Sequence, residues 1–279
     1  MLKRAYIEIT NICNLACSFC PGTQRQRRMM QVDEFRALAQ KLQGHVKYLY
    51  LHVMGEPLLH PHLGELLDVA GELGFKVCIT TNGTLVGDRG GMILTSAALH
   101  KVSISLHSME GNGAGELTAY LENCWSFAER AAQQGVICAL RLWNIGGEDA
   151  RNGEILAFLA DKLGEDPLAH PQARSGSWKL REKLYLEQAE RFDWPDLNAP
   201  ERDTRFCLGI REQIAVLVDG TVVPCCLDHE GDVPLGNLFD RELEEILAGD
   251  RAKKMYDGFS RGVCSEELCR RCGFATRFN

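Results

Sequence analysis

The chain has 279 residues, 45% of them hydrophobic and 25% charged, with a formal net charge of −7. A chain of this length can bury a core large enough to fold without covalent cross-links. The negative charge argues against nucleic acids and anionic membranes as partners. The sequence shows neither an apolar run of membrane-spanning length nor the apolar segment of a secretory signal, so we expect a cytoplasmic protein.

Hydrophobic patterning predicts alternating strands and helices over the first 165 residues. This order favours a parallel sheet, open or closed into a barrel, with its active site at the carboxyl ends of the strands. The predicted strands are Tyr6–Thr10, Val46–Val53, Lys76–Thr80, Lys101–Leu106 and Val136–Trp143. The predicted helices are Val32–Leu42, His62–Leu73, Leu94–Leu99, Glu116–Gln134 and Glu154–Leu163.

The pattern changes after residue 165. Lys179–Phe192 is compatible with a helix or with a sixth strand followed by a short helix. Further on, Asp219-Gly220 lies between the alternating runs Gln213–Val218 and Thr221–Pro224, which predicts a β-hairpin. Helical spacing then covers Leu238–Met255.

Twelve cysteines in a chain without a visible secretory signal indicate metal or cluster ligation rather than disulfides. Cys13, Cys17 and Cys20 follow the first strand as CxxxCxxC. Three thiolates can hold three irons of a [4Fe–4S] cluster and leave the fourth iron open. The alternative is a zinc site, but zinc usually joins two matched ligand pairs. Three isolated cysteines fit strand or helix patterns and are expected in the core: Cys78, Cys124 and Cys138.

The segment TNICNLACSFCPG, with Phe19 just before the last cysteine, resembles the cluster motif of the radical S-adenosylmethionine (SAM) superfamily. The resemblance covers about the first 145 residues. It implies a partial (β/α) barrel, a [4Fe–4S] cluster whose open iron binds SAM, and an electron donor of flavodoxin or ferredoxin type. The cofactor-binding residues it implies are Phe19, Gly55, Glu56, Pro57, Asn82, Ser105 and Arg141.

Several of these residues take a role from their position in the family's motifs. Gly55-Glu56-Pro57 matches the GEP motif, so the resemblance implies that Glu56 hydrogen-bonds the SAM amino group. Ser105 matches a ribose-contacting position, and Arg141 lies where a basic residue often meets the SAM carboxylate. Each has a structural alternative: a turn at 55–57, an ordinary strand residue at Ser105 and an ion pair at Arg141.

A second cysteine group lies near the C-terminus. Cys207 and Cys225 have the spacing CX12GX4C, and the hairpin between them brings them together. A four-thiolate set suits a [4Fe–4S] cluster or zinc. The spacing resembles the SPASM and twitch auxiliary-cluster domains of radical SAM enzymes, and Cys226 or Cys264 could replace an assigned ligand. The four ligands that the resemblance implies are Cys207, Cys225, Cys269 and Cys272.

Oxidation of a hydroxyl or thiol also needs a general base. The candidates are His107, which would project to the same side of its strand as Ser105, and Asp228, which is close in sequence to the auxiliary cysteines. The basic run at residues 25–28 is interpreted as a solvated loop, with contact to an anionic substrate as the alternative.

The resemblance implies three units: a radical SAM core at 1–165, a variable segment at 166–206 that completes the barrel, and a small hairpin-and-helix auxiliary domain at 207–279. It also implies an oxidoreductase that cleaves SAM reductively to a 5′-deoxyadenosyl radical and abstracts a substrate hydrogen. An auxiliary [4Fe–4S] cluster would then accept the second electron of a two-electron oxidation.

The substrate class stays open in the sequence. The short chain and the twitch-like spacing favour a small-molecule dehydrogenase. The alternative is a maturase that modifies a peptide or protein, of the ribosomal-peptide or sulfatase-maturase kind. A third hypothesis is a non-catalytic iron–sulfur or zinc protein, which predicts no SAM cleavage. RNA modification is disfavoured by the acidic net charge.

Overall fold

The computed structural model describes residues 2–112, 116–147 and 149–278, and its first part alternates strands and helices as predicted. None of the helices in these ranges is long and apolar enough to span a bilayer. The strands of this part are β1 (Arg4–Ile7), β2 (Tyr48–Tyr50), β3 (Lys76–Thr81), β4 (Leu99–Ser105) and β5 (Ile137–Ile145). The helices are α1 (Val32–Leu42), α2 (Leu63–Glu72), α3 (Val86–Leu94), α4 (Leu117–Gln133) and α5 (Asn152–Leu163).

The remainder of the chain adds strands to both edges of this sheet. Three strands follow α5, namely β6 (Gln172–Arg174), β7 (Ser177–Arg181) and β8 (Leu184–Glu190). The C-terminal strands are β9 (Gln213–Val216), β10 (Thr221–Val223) and β11 (Gly236–Asn237). The C-terminal helices are α6 (Leu243–Leu247), α7 (Asp250–Ser260) and α8 (Glu267–Arg270).

The strands of the described residues form one 11-stranded sheet in the order β11-β10-β9-β1-β2-β3-β4-β5-β8-β7-β6. Neighbours from β9 to β8 are parallel, and the outer pairs are antiparallel. The sheet does not close on itself, so the fold is the expected partial (β/α) barrel. The carboxyl ends of its parallel strands meet at one rim, where this class of fold places its active site.

The two faces of the sheet differ in chemistry because successive side chains point to opposite sides. The outer face joins the helices in one apolar core, represented by Ile7, Leu49, Val77, Ile104 and Leu142. Buried parallel strands are ordinarily apolar on both faces. The inner face here instead carries polar and charged groups, including Arg4, Tyr50, Lys101, Arg141 and Glu187.

The prediction of a helix at Leu94–Leu99 is wrong. The helix α3 ends at Leu94, and Leu99 already begins β4. Glycines within α3 lower its intrinsic helix propensity and hide it from a pattern search. Tertiary packing requires one of them, because a Cβ atom on Gly90 would lie 2.5 Å from the Phe127 ring of α4.

Two further segments differ from the sequence prediction. Of the two alternatives for Lys179–Phe192, the sixth parallel strand is confirmed as β8. Neither the helix nor the short helix after the strand forms, because the segment turns at Lys183 (φ 62°) and pairs β8 with β7. The predicted helix Leu238–Met255 is divided into α6 and α7, and Gly249 caps the second.

The predicted hairpin at Asp219-Gly220 is present as β9–β10. Strand β9 also pairs in parallel with β1, with Arg4 opposite Gln213 and Ile7 opposite Val216. The sheet therefore continues across the boundary placed at residue 207. We retain the units 1–165, 166–206 and 207–279 as a proposal about which parts of the chain serve which function. They are not separate in structure, because one sheet runs through them.

Candidate active site and auxiliary cysteine site

The loop after β1 carries the first cysteine group to the rim of the barrel. Cys13, Cys17 and Cys20 line one cavity with Met54 and Gly55, which follow β2. The Cys20 sulfur lies 4.0 Å from the Met54 sulfur. Burial raises the pKa of the Cys13 and Cys20 thiols. A bound metal cluster offsets that effect because it stabilises the thiolate forms.

Gly55 brings the loop after β2 against the cysteine loop. It adopts φ +77°, and a Cβ atom here would lie 2.4 Å from the Thr10 carbonyl oxygen. The next amide, that of Glu56, donates a 2.9 Å hydrogen bond to the carbonyl of Ile12. The backbone just before Cys13 is therefore fixed by a close approach that only glycine permits.

The Glu56 carboxylate is buried and already engaged. It accepts hydrogen bonds from the amides of Leu58 (3.0 Å) and Asn82 (2.7 Å) and from the Thr81 hydroxyl (2.7 Å). Burial raises its pKa, although these three donors oppose the shift. A carboxylate has about four acceptor positions. The predicted contact of Glu56 with the SAM amino group therefore competes with the three hydrogen bonds that connect the loops after β2 and β3.

Asn82 joins the loop after β3 to the cysteine loop. Its side-chain amide donates to Asn14 at 2.9 Å and approaches the Cys13 sulfur at 3.8 Å. Its backbone carbonyl accepts a 2.7 Å hydrogen bond from the Tyr120 hydroxyl on α4. The structure therefore brings Asn82 next to the predicted cluster ligands, and Pro57 begins a short 3₁₀ turn behind it.

His107 does not extend the inner face of β4 as predicted. The strand ends at Ser105, and Leu106–Ser108 is a 3₁₀ turn, so the two-residue alternation no longer applies. The imidazole Nδ1 lies 3.1 Å from the Arg141 carbonyl oxygen, and the ring lies 4.9 Å from the Phe19 ring. Burial lowers the pKa of His107 to about 4. These contacts make His107 a packing partner of the cysteine loop.

Arg141 lies beside Ser105 and Glu187, which occupy matching positions on β4 and β8. Its Nε donates to the Glu187 carboxylate at 3.2 Å, and its guanidinium lies 4.4 Å from the Trp143 ring centre. The structure therefore shows the ion pair that was the alternative for Arg141. Contact with the SAM carboxylate stays a prediction, as does the ribose contact of Ser105.

The four predicted auxiliary ligands meet in one cavity, which Pro195, Leu268 and Phe274 also line. Burial raises the pKa of the Cys207 thiol to about 11 and also raises the pKa of Cys225 and Cys272. The pKa of Cys269 is raised mainly by its hydrogen bond with Cys264. A buried set of thiol donors among apolar side chains fits an iron–sulfur cluster. The four lining cysteines are Cys207, Cys225, Cys269 and Cys272.

The two remaining cysteines of this region lie outside that lining. Cys226 packs against Tyr6 on the inner face of the barrel. Cys264 hydrogen-bonds Cys269, and that bond is the main reason why the pKa of the Cys264 thiol is lowered. The isolated cysteines are buried as predicted: Cys78, Cys124 and Cys138.

Asp228 lines the auxiliary cavity, but its carboxylate is engaged. It accepts hydrogen bonds from the amides of Asp232 (2.8 Å) and Val233 (2.9 Å). Burial raises its pKa. This arrangement closes the loop after the hairpin and leaves Asp228 poorly placed to take a substrate proton.

Sequence reasoning missed three residues at these sites. Glu8 is fully buried directly after β1, and its charge within the apolar run AYIEI was the available signal. Trp194 lines the cavity of the first cysteine group, and the adjacent Pro195 lines the auxiliary cavity. No sequence pattern in the segment 166–206 indicated that Trp194 would line this cavity.

Comparisons with known proteins agree with this architecture. The model of the radical SAM superfamily matches residues 7–159, more than half of the chain, and the SPASM iron–sulfur cluster-binding domain matches residues 207–273. A GTP 3′,8-cyclase from Synechococcus sp. (strain WH7803) is 30% identical over 208 residues. That match covers 68% of this chain and 59% of the cyclase, so the chain spans less than two thirds of that relative's length.

Two solved structures share the fold. BtrN in complex with AdoMet and 2-DOIA is 18% identical, with a TM-score of 0.58 over 98% of this chain and 93% of BtrN. The protein anSMEcpe, with bound AdoMet and the Cp18Cys peptide, is 14% identical, with a TM-score of 0.63 over 99% of this chain and 90% of that one.

Proposed function

The chain belongs to the radical SAM superfamily, and from this membership we propose that it is an oxidoreductase that dehydrogenates a small molecule. Members of this superfamily bind SAM and a [4Fe–4S] cluster, and the SPASM domain implies auxiliary iron–sulfur clusters. When bound and supplied with one electron by an external donor, the first cluster and SAM would supply a 5′-deoxyadenosyl radical for abstraction of a substrate hydrogen. The protein's own contribution is to hold, orient and shield these groups.

The first cysteine group would hold the SAM-binding cluster, and loops from three strands would shape its surroundings. Cys13, Cys17 and Cys20 would supply three thiolates. Gly55 permits the close approach of the loop after β2. Asn82 ties the loop after β3 to Cys13. The three thiolates leave one iron without a protein ligand, which is where SAM would bind.

The observation that carries the oxidoreductase proposal is the meeting of four thiols in one buried cavity. Four protein thiolates satisfy all the irons of a [4Fe–4S] cluster, so no iron is open to substrate. An electron-accepting role fits such a site better than substrate binding does. A dehydrogenation requires removal of a second electron from the substrate, and this site would receive it.

The proton released in that oxidation has no assigned acceptor. His107 is buried, contacts the Arg141 carbonyl and stays neutral down to about pH 4. The Asp228 carboxylate is occupied by two backbone amides. We therefore assign positioning roles to both residues. The proton would pass to a group or water molecule that surrounds the bound substrate.

A peptide-modifying maturase is the second candidate function. The similarity to anSMEcpe with its bound Cp18Cys peptide covers 99% of this chain and supports this alternative. The polar inner face of the barrel suits either a small polar molecule or a peptide segment.

The two candidates differ in which substrate donates the abstracted hydrogen. We would incubate the reduced holoenzyme and SAM with an extract of cells grown in deuterated water, divided into a small-molecule and a peptide fraction. Deuterium in 5′-deoxyadenosine from the small-molecule fraction alone would support the dehydrogenase. Transfer from the peptide fraction alone would overturn it and support the maturase.

A further inference from the structure

The Glu8 carboxylate lies at the junction of three chain segments. It is fully buried, directly after β1. The Arg25 guanidinium donates two hydrogen bonds to it, at 2.8 and 2.6 Å. The amides of Met54 (3.3 Å) and Val218 (3.0 Å) donate two more. All of its acceptor positions are therefore used.

The four donated hydrogen bonds come from three residues in different regions of the fold. Arg25 belongs to the loop that carries the first cysteine group, and Met54 follows β2 beside Cys20. Val218 belongs to the turn of the β9–β10 hairpin, which carries Cys225 on its far side. One carboxylate thus joins the first cysteine site to the auxiliary region.

Arg25 makes a second connection to the same region. Its Nε donates to the His229 carbonyl oxygen at 2.8 Å, and the amide of the preceding Gln24 donates to the Glu230 carboxylate at 3.1 Å. Both acceptors lie shortly after Cys225 in the chain. The interpretation of residues 25–28 as a solvated loop is therefore wrong for Arg25, whose side chain is only 15% exposed.

A nearby ion pair in the same loop provides the contrast. Arg28 pairs with Glu34 at the start of α1, and both side chains are partly exposed. This pair is local in sequence, and among the described residues neither side chain bonds to the C-terminal region. It has the same charges as the Glu8–Arg25 pair, but it is less buried and connects only neighbouring parts of the sequence.

We propose that the Glu8–Arg25 pair is a positioning element that fixes the first cysteine loop against the auxiliary cysteine region. The loop between β1 and α1 has little regular secondary structure, so its shape depends on side-chain anchors of this kind. A planar, bidentate guanidinium fixes orientation as well as distance, which a lysine ammonium cannot do. The relevance of this pair to catalysis rests on the proposed function.

The test compares the variants Glu8→Gln and Arg25→Lys with the matched control Glu34→Gln, all as reconstituted holoenzymes. Arg25→Lys keeps the positive charge but loses the bidentate geometry and the bond to His229. The first measurement is the rate of tryptic cleavage after the exposed Arg27, which reports opening of the loop and does not depend on enzyme activity. The second is the magnetic coupling between the two reduced clusters, measured by electron paramagnetic resonance.

We expect cleavage about tenfold faster in both test variants, because loss of the anchor lowers the free energy of local opening. We also expect altered coupling between the clusters in Arg25→Lys, with Glu34→Gln like the wild type on both measures. The proposal would be overturned if Arg25→Lys showed the same cleavage rate and the same magnetic coupling between the clusters as the wild type. A lower unfolding midpoint with unchanged coupling would overturn it too, since the pair would then only stabilise the fold.

Failure of the proposed function would look different. A wild-type protein that takes up no iron would refute the radical SAM chemistry. The tryptic comparison between Arg25→Lys and Glu34→Gln would still decide whether the pair anchors the loop.

Discussion

The Phe19 ring packs 4.9 Å from the His107 imidazole, which joins the cysteine loop to the end of β4. The same imidazole contacts the Arg141 carbonyl on β5. Three neighbouring chain segments at the barrel rim are therefore connected through one neutral histidine. This relationship gives His107 a structural role that can be separated from a role as general base.

Acid should destabilise the protein partly through His107. Burial lowers its pKa from 6.5 to about 4, so between these values the unfolded state binds more protons. The stabilisation is complete above about pH 6.5 and is lost as the pH falls towards about 4, at most on the order of 3 kcal/mol. Urea unfolding of wild type and His107→Leu at about pH 7 and about pH 5 measures this. An identical pH dependence in both proteins would contradict it.

Gly55→Ala should disrupt the first cysteine site, because the added Cβ atom meets the Thr10 carbonyl oxygen at 2.4 Å. We expect a loss of about 3 kcal/mol or more in stability, with reduced retention of the N-terminal cluster. The matched control is Gly22→Ala in the same loop, with φ +67° and no atom within 4 Å of the added Cβ. It should cost only about 1–2 kcal/mol. Equal effects of the two substitutions would show that the close approach at Gly55 is unimportant.

Glu187→Gln should be strongly destabilising. This buried carboxylate accepts from Lys101 (2.9 Å), Arg141 (3.2 Å) and Arg174 (2.9 Å). Burial alone would raise its pKa, but Arg141 and Lys101 hold the pKa below its usual range. Removing the charge leaves the partly buried cations of Lys101 and Arg141 uncompensated, which costs about 3–5 kcal/mol.

The control for this prediction is Arg174→Ala, because the Arg174 side chain is 66% exposed. An exposed ion pair contributes about 0–1 kcal/mol, so this variant should unfold close to the wild-type urea concentration. If Glu187→Gln unfolded at the same concentration as Arg174→Ala, the inner-face network would carry no stability.

Cys225→Ala and Cys226→Ala should differ sharply although the residues are adjacent. Cys225 lines the auxiliary cavity, whereas Cys226 packs against Tyr6. We expect iron content to fall from about eight to about four per chain in Cys225→Ala and to stay near eight in Cys226→Ala. Loss of four irons in Cys226→Ala, with Cys225→Ala intact, would reverse the assignment of ligands.

Much of the fold was predictable because its signals are local. The spacing of Cys13, Cys17 and Cys20, the valine- and isoleucine-rich strands and the Asp219-Gly220 turn each specify their own neighbourhood. The four auxiliary cysteines also meet as predicted, since the hairpin brings Cys207 and Cys225 together.

The features that were missed depend on distant contacts. Helix α3 forms despite its glycines because Gly90 lets α4 approach. The pairing of β9 with β1 and the hydrogen bond from the Val218 amide to Glu8 join residues about 210 positions apart. Local propensity carries no information about such contacts, and so Arg25 was interpreted as a solvated residue.

The most direct test of the account is to count iron and sulfide in the anaerobically reconstituted wild type and in the Cys13/Cys17/Cys20→Ala triple variant, and to add SAM and dithionite to both. We predict about eight irons per chain in the wild type and about four in the variant, with 5′-deoxyadenosine formed only by the wild type. About four irons in the wild type, all lost in the variant, would remove the auxiliary cluster and its electron-accepting role. Zinc without iron and no SAM cleavage would contradict the whole account.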